Sequence, residues 1–166
     1  MIKEPVRAYL DIETTGLTPD CSYMTVVGVY LVSSKGSDFR QFVGQGWASQ
    51  DLLEYVCQAD ILYTYNGSRF DLPFIQAQTG LVLHKHVKHV DLMYNCWKCN
   101  LRGGLKKVEK MLGIERALPD VNGYMAVILW QRYQAYGDEY SLEKLLAYNK
   151  EDCVNLHTLR QKLEVD

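Results

Sequence analysis

The amino-acid sequence predicts an α/β fold with a mixed central sheet, whose first three strands are antiparallel and whose faces are flanked by helices. The chain opens with three short segments rich in β-branched and apolar residues. Strands and helices then alternate along the middle of the chain, and its last third has helical periodicity. Because no repeat, low-complexity tract or linker interrupts this pattern, residues 1–166 are expected to form one domain.

The opening strands are predicted from alternating side chains and from turn residues. Apolar residues alternate over residues 6–12, and a turn-forming segment follows at residues 16–20. Residues 25–32 are rich in β-branched side chains, and a turn at Gly36 separates them from a third strand at residues 38–43. Such short connections favour an antiparallel meander.

Helices and strands alternate in the middle of the chain. A helix is predicted from Ser49, which is a good N-cap, and a strand follows at residues 61–65. A helix at residues 72–78 and a strand at residues 87–92 come next. This alternation predicts that the later strands pair through helical crossovers.

The last part of the chain is predicted to contain three helices. The first begins at Leu105 and stops at Gly113, and the second covers residues 124–136 before Gly137. Ser141 is expected to cap a final helix that runs to about residue 163.

The composition is that of an ordinary globular chain, with 48% hydrophobic and 23% charged residues and a net charge of −2. This charge argues against a broad basic surface that grips duplex phosphates. Any contact with nucleic acid should therefore be short and concentrated at one pocket, where metal ions supply much of the positive charge.

The sequence also bears on the compartment and on disulfides. No segment approaches the ~18–20 consecutive apolar residues of a membrane span, and the N-terminus lacks the pattern of a signal peptide. A cytoplasmic protein with no membrane partner is therefore expected. The five cysteines form an odd set, so we expect mostly buried free thiols rather than disulfides.

Asp11 and Glu13 stand two residues apart at the end of the first predicted strand, which places both on one face. Their charges repel, and in a central strand both would also be desolvated, so a cation would be needed to keep them ionised together. Taken alone, the pair is equally consistent with the solvated end of an edge strand.

Asp71 directly follows the apolar strand at residues 61–65, and loops at strand ends commonly carry functional sites in α/β sheets. An ordinary alternative is that Asp71 is the N-cap of the next helix, which has Pro73 in its first turn. By itself, the capping role is the better interpretation of this aspartate.

Asp152 lies on the predicted inward face of the last helix, in line with Leu145, Leu156 and Leu159. A carboxylate on such a face needs a partner, and Tyr148 lies one turn earlier on the same face. The alternative is a tyrosine packed in the core beside an aspartate at the edge of the apolar stripe. If the first strand, the strand before Asp71 and this helix converge, four acidic groups meet at one site that only divalent metal makes tolerable.

Three segments that contain these acids resemble the motifs of the DEDD exonucleases, in particular the branch with a tyrosine in its third motif. The segments are DIETTG at 11–16, NGSRFD at 66–71 and YNKED at 148–152. Ala147 stands where the histidine branch has its histidine. The segments at 105–116 and 148–156 further resemble the YprB-like predicted exonucleases, and the whole resemblance implies a ribonuclease-H-like fold.

This resemblance implies a 3′–5′ exonuclease that hydrolyses single-stranded DNA or RNA from its 3′ end. Two Mg²⁺ or Mn²⁺ ions about 4 Å apart would straddle the scissile phosphate. Asp11 would bridge both ions, Glu13 and Asp152 would complete the site of the ion that activates water, and Asp71 would hold the other. Tyr148 would orient the attacking water, because its ordinary pKa of ~10 makes it a poor base at neutral pH.

The resemblance also implies a set of residues that contact the terminal nucleotide or line the path of the strand. These residues are Thr14, Thr15, Gly16, Leu17, Asn66 and Phe70. An alternative is purely structural, with Gly16 in a turn and Phe70 in the core, and for Phe70 this alternative is preferred.

Several weaker patterns predict structure rather than chemistry. Cys96 and Cys99 form a CxxC downstream of three histidines, His84, His86 and His89, but their spacing matches no recognised zinc motif. Asp91 could be a further acid near the site, although capping of the next helix explains it equally well. The aromatic residues at 124, 130, 133 and 136 could stack on bases, yet their helical spacing favours core packing.

Two other functions stay open at this stage. One is a nucleic-acid-binding module without turnover, and the other is an endonuclease of the same fold that acts in RNA–DNA hybrids or at branched junctions. The sequence does not choose between DNA and RNA, and it leaves the oligomeric state open between monomer and weak dimer.

Overall fold

The computed structural model describes residues 4–165 as a five-stranded sheet with helices on both faces. The elements in chain order are β1 (Arg7–Thr14), β2 (Met24–Ser33), β3 (Gly36–Val43), α1 (Ser49–Val56), β4 (Ile61–Thr64), α2 (Asp71–Thr79), a 3₁₀ turn (Leu83–Lys85), β5 (Lys88–Asp91), α3 (Leu92–Lys98), α4 (Leu105–Met111), α5 (Gly123–Tyr136) and α6 (Glu139–Lys162).

The strand order is β3-β2-β1-β4-β5, so β1 is the central strand. β1 pairs antiparallel with β2, and β2 pairs antiparallel with β3, which confirms the predicted meander. β4 pairs parallel with both β1 and β5. The interpretation of Asp11 and Glu13 as the end of an edge strand is therefore wrong.

Side chains of β1 alternate between two layers of the core. Ala8, Leu10 and Ile12 are buried on one face, where α1 and α2 cover the sheet. Tyr9 is buried on the opposite face with Leu156 and Leu159 of α6. Asp11 and Glu13 share this second face by their period of two, so they project toward α6.

The boundaries of three helices differ from the sequence prediction because other residues take the capping positions. Ala48, rather than Ser49, precedes α1 and makes no side-chain cap. Asp138 caps α6 by accepting the Ser141 N–H, so α6 begins at Glu139. Asp71 is the first residue of α2 rather than its N-cap, and its carboxylate points elsewhere.

The inward face of α6 is buried as predicted, with Leu145, Leu156 and Leu159 at 1% exposure or less. The expectation of mostly buried thiols is wrong, because three cysteines are exposed and only Cys96 and Cys153 are buried. Within residues 4–165, no helix combines the length and the hydropathy needed to cross a membrane.

Candidate active site

The central strand β1 presents two carboxylates to α6. Glu13 is buried and Asp11 is partly buried, and a β-bulge after Glu13 shifts the register between β1 and β2. Bulges of this kind redirect the side chains at the end of a strand. The bulge lies immediately before Thr14, where the chain leaves the sheet for the loop at residues 15–23.

Helix α6 contributes Asp152 and Tyr148, which lie one turn apart and are each 6% exposed. Asp11, Glu13 and Asp152 each offer an oxygen atom, and these three atoms lie within 4.8 Å of one another. We call this group, together with Asp71, the carboxylate cluster. Like charges so close together are relieved either by a bound cation or by uptake of protons.

Asp71 adjoins the three carboxylates from the start of α2. Its Oδ1 accepts a hydrogen bond of 3.1 Å from the backbone N–H of Ile12, which lies between Asp11 and Glu13 in β1. Asp71 is outside the group that meets within 4.8 Å, but its charge contributes to the raised pKa values of Asp11 and Glu13. All four acids expected from the sequence therefore lie at one end of β1.

Burial and mutual repulsion raise the pKa values of the whole carboxylate cluster. Burial is the largest cause for Asp11 and Glu13, followed by the charge of Asp152. Burial raises the pKa of Asp71 to about 7, and it raises that of Asp152 to about 6 against the lowering effect of Arg116. The described protein groups thus leave the cluster short of positive charge.

A divalent cation fits the oxygen atoms of this cluster. Glu13 Oε1 is buried and has no hydrogen-bond partner among residues 4–165, although an unpaired buried carboxylate oxygen is costly. The ligand set consists only of carboxylates, which suit hard cations such as Mg²⁺ and Mn²⁺.

A chain of neutral amides holds Asp11 in place. Asn149 of α6 donates from Nδ2 to both the backbone oxygen and the Oδ2 of Asp11, at 3.1 and 3.2 Å. Gln41 of β3 in turn donates to Asn149 Oδ1 at 2.9 Å. Gly28 lies opposite Asp11 in β2, and a Cβ atom there would collide with Asn149.

Sequence reasoning missed the amide chain, although one signal for it exists. Gly28 interrupts a strand of β-branched and apolar residues, and an isolated glycine in a strand often marks the close approach of another element. That element is α6.

Arg116 holds Asp152 at the other end of the cluster. Its guanidinium donates from Nη2 to Asp152 Oδ1 and from Nη1 to Glu109 Oε2 at 2.6 Å, while its Nε lies 3.5 Å from Glu151. Glu109 is fully buried and also accepts a bond from Asn155. Sequence reasoning missed this arginine, because nothing in its neighbourhood indicates that residues 109 and 116 face residue 152.

Asp91 has a structural role in the loop that precedes Asp71. Its carboxylate caps α3 through the Met93 N–H and also accepts bonds from the backbone of Asn66 and Ser68. The capping interpretation of Asp91 therefore describes the structure. These bonds fix the β4–α2 loop, which includes Asn66 at a φ of 61°.

A cavity of about 600 Å³ opens onto Asp11, Glu13, Tyr148 and Asp152. Its wall includes Thr14, Thr15, Gly16, Leu17 and Phe70, which are five of the six residues expected to contact substrate. Asn66 is not part of this wall, and its backbone N–H donates a hydrogen bond to Asp91.

Two large apolar side chains border the cavity in exposed positions. Leu17 is 85% exposed and Tyr124 is 74% exposed. The expectation of core packing is wrong for Tyr124 and for Tyr136, which is 84% exposed, whereas Trp130 is buried. Phe70 is partly buried against Phe74 and still lines the cavity, so both of its suggested environments are present.

Tyr148 keeps its proton at neutral pH. Burial raises the pKa of its phenol far above the ordinary value, and the charges of Asp152, Glu13 and Asp11 raise it further. In the absence of a cation, the protonated phenol is available to donate a hydrogen bond at the wall of the cavity.

The cysteine and histidine residues considered for zinc do not converge. Cys96 is buried while Cys99 is exposed, and His89 Nε2 forms a hydrogen bond of 2.9 Å with Thr64. Within residues 4–165, the acidic, histidine and cysteine side chains close enough to share a metal are Asp11, Glu13 and Asp152.

The sheet order and the buried acids define an α/β protein of the ribonuclease-H type with a carboxylate site suited to divalent cations. The chain belongs to the RNase H superfamily, whose family model matches residues 8–164. This match includes β1, α2 and α6, the three elements that build the carboxylate cluster.

A curated relative agrees with the resemblance found in the sequence. Uncharacterized protein YprB of Bacillus subtilis (strain 168) is 32% identical over 117 residues. The alignment covers 63% of this chain and 28% of YprB. The chain thus spans little more than a quarter of that relative's length.

Solved nuclease structures share the fold. Brucella melitensis NrnC matches with a TM-score of 0.62 at 18% identity, over 95% of this chain and 72% of NrnC. The zinc-bound E. coli ExoI–ssDNA complex matches with a TM-score of 0.52 at 13% identity, over 84% of this chain and 43% of ExoI. At these identities the similarity establishes the common fold.

Proposed function

We propose that this protein is a metal-dependent nuclease that removes nucleotides from the 3′ end of single-stranded nucleic acid by hydrolysis. The main observation in support is that Asp11, Glu13 and Asp152 lie on the wall of an open cavity with one oxygen of each within 4.8 Å of the others. Asp71 lies beside them, bonded to the backbone of β1. The fold shared with NrnC and with ExoI, whose structure contains ssDNA, favours the same class of reaction.

Asp11, Glu13, Asp71 and Asp152 are proposed to hold two divalent cations, Mg²⁺ or Mn²⁺. When bound, such ions neutralise charge on the phosphate and lower the pKa of water. Asp11 would contribute to holding both ions, since one of its oxygens lies within 4.8 Å of oxygens of both Glu13 and Asp152. The unpaired Glu13 Oε1 is a ready ligand, since it has no competing donor.

Tyr148 is proposed to orient the attacking water by donating a hydrogen bond. Its phenol stays protonated and faces the cavity beside Asp152. This role requires a donor rather than a base, so Tyr148→Phe should lower kcat while the metal affinity stays unchanged. The tyrosine branch of the DEDD exonucleases is the proposed class on this ground and on the sequence motifs.

The terminal nucleotide is proposed to occupy the cavity next to Leu17, with Thr14, Thr15, Gly16 and Phe70 around it. Exposed apolar side chains beside the carboxylate cluster offer an apolar surface on which an unstacked base can pack. Leu17 and Tyr124 are such side chains. The terminal base of a single strand is free to unstack and to occupy this position, which favours cleavage at the end of a strand.

The proposal can be tested with single-stranded DNA and RNA labelled at the 5′ end, incubated with Mn²⁺ or with EDTA. A ladder that descends from the 3′ end, requires Mn²⁺ and vanishes in Asp152→Asn is the expected result. Glu143→Gln, which alters an exposed acid of the same helix, is the matched control. Unchanged substrate with folded protein would indicate a binding module, and cuts in a circular strand would indicate an endonuclease.

Tyr124 offers a sharper test of the cavity. Tyr124→Ala should raise the KM about 5- to 150-fold, since base stacking on an aromatic ring is worth ~1–3 kcal/mol. Tyr136→Ala removes an equally exposed tyrosine from the same helix, away from the cavity, and should leave the KM unchanged. Equal KM values for the two variants would contradict base stacking on Tyr124.

A further inference from the structure

Two cations border the carboxylate cluster, and only one of them is paired. Arg116 contacts Glu109, Glu151 and Asp152, and its side chain is 6% exposed. Lys106 of α4 makes no ion pair within 4 Å in residues 4–165. The carboxylates of Asp152, Glu109 and Glu151 nevertheless lie near enough to interact electrostatically with its ammonium group. Arg116 is therefore paired with carboxylates of the protein, whereas Lys106 has no carboxylate in direct contact.

The ammonium group of Lys106 lies at the cluster rather than in bulk solvent. Its Nζ is 5.1 Å from the centroid of the Tyr148 ring, on which Arg116 also rests at 5.5 Å. Lys106 is partly buried, and burial is the main cause that lowers its pKa. The ammonium therefore has lost part of its hydration without gaining a carboxylate in direct contact, which is an unfavourable state for a free lysine.

A substrate anion would supply the missing partner. A strand with its terminal base at Leu17 and its linkage over Asp152 would pass a phosphate beside Tyr148 at the cavity wall. Lys106 Nζ lies over the ring of that tyrosine, so a change of rotamer of its flexible side chain would bring it to the phosphate. A lysine binds phosphate as a point charge with three rotatable donors, which suits contact with a non-bridging oxygen. Arg116 is unavailable for this contact as long as it holds Asp152.

We propose that Lys106 binds a non-bridging oxygen of the phosphodiester held at the carboxylate cluster. This inference rests on the proposed nuclease function and adds a substrate-binding residue to it. The contact should contribute to the binding of the strand, so its loss should raise the KM more than it lowers kcat.

The test compares Lys106→Ala with Lys110→Ala, which removes an exposed lysine one turn further along the same helix. Binding is measured by anisotropy with 5′-fluorescein-labelled ten-residue oligo-dT in EDTA, and turnover is measured with Mn²⁺. Lys106→Ala should weaken binding about 5- to 20-fold and make the slope of log affinity against log salt shallower by about 0.7. Lys106→Arg should restore most of the affinity, and Lys110→Ala should match the wild type.

A neutral linkage identifies the contacted phosphate. An oligonucleotide with a single methylphosphonate at its 3′-terminal linkage should bind wild-type protein more weakly, and Lys106→Ala should cause no further loss with it. Additive losses, or equal affinities for the two lysine variants, would overturn the role of Lys106 while leaving a working nuclease intact. A wild-type protein that neither binds nor cleaves the oligonucleotide would overturn both proposals.

Discussion

The two ends of the carboxylate cluster are held by opposite kinds of partner. Asp11, on the central strand, is held by the neutral amide of Asn149, which Gln41 positions in turn. Asp152, on α6, is held by the guanidinium of Arg116, which the buried Glu109 positions in turn. Both ends are therefore fixed by a donor that is itself fixed by a second residue.

The difference lies in the charge that each donor brings. An amide fixes the direction of a carboxylate and leaves its negative charge unbalanced, whereas a guanidinium fixes the direction and also neutralises the charge. The strand end of the cluster consequently has the greater need for a cation. This agrees with the unpaired oxygen, which belongs to Glu13 beside Asp11.

The largest effect should come from the strand end. Asp11→Asn should lower activity more than about 100-fold, beyond the 10- to 100-fold range typical of lost supporting partners. In EDTA the melting temperature of this variant should equal or exceed that of wild type, because the substitution removes repulsion from Glu13 and Asp152. Activity assays and thermal melts check both statements, and a variant that melts lower would point to a structural role.

The charged partner at the helix end should matter most for stability. Arg116→Met leaves the fully buried Glu109 without its counter-ion and should lower the free energy of unfolding by about 3–5 kcal/mol. Urea denaturation measures this loss. The double variant Glu109→Gln/Arg116→Met should recover part of it, because the fully buried residue 109 then carries no uncompensated charge. A double variant as unstable as Arg116→Met would refute this account.

The neutral partner, Asn149, can be displaced from the neighbouring strand β2 on the same face of the sheet. Gly28→Ala places a Cβ against the side chain of Asn149 and should destabilise the protein by about 1–3 kcal/mol. Activity should also fall, since Asn149 can no longer hold Asp11. Gly104→Ala is the control, because a Cβ at Gly104 meets no atom within 4 Å. Equal effects of the two alanines on activity would show that the amide chain is dispensable.

The smallest effect concerns pH. The pKa of Asp71 is raised to about 7 and that of Asp152 to about 6, so the folded state binds protons more tightly than the unfolded state. Without metal, stability from these groups is full below about pH 4 and is lost as the pH rises through 6 and 7. The melting temperature in EDTA should therefore fall by about 4 °C or more between pH 5 and pH 8.

Two further measurements of the melting temperature test whether the carboxylate cluster causes this pH dependence. Asp71→Asn should flatten the fall with pH, because it removes the group with the higher pKa of the two. Mn²⁺ should raise the melting temperature more at pH 8 than at pH 5, since ionised carboxylates bind it. A melting temperature that is independent of pH in EDTA would contradict a repulsive cluster.

The sequence predicted the sheet order at its antiparallel edge and the bounds of most elements, because alternation and turn residues are local signals. It also indicated Asp152, since a charged residue on an apolar helix face is visible in the periodicity. The residues that hold these acids in place were not predicted from the sequence. Asn149, Arg116 and Glu109 act through contacts between residues that are distant in sequence, and such contacts leave no periodic trace.

Tyr124 shows a second limit of sequence reasoning. It lies in the first turn of α5, six residues before the buried Trp130, so the two side chains point about 120° apart around the helix, and Tyr124 borders the cavity. Periodicity identifies a face of a helix and not where along its length the core ends. The exposed tyrosine could therefore be recognised only once the elements were assembled.

The hydrogen bond from Asn149 to Asp11 joins residues that are 138 positions apart in the chain. During synthesis, the first carboxylates leave the ribosome long before α6 exists to complete the site. This contact can form only after α6 has been synthesised. A nascent chain of this protein therefore has no complete carboxylate cluster until α6 has been synthesised.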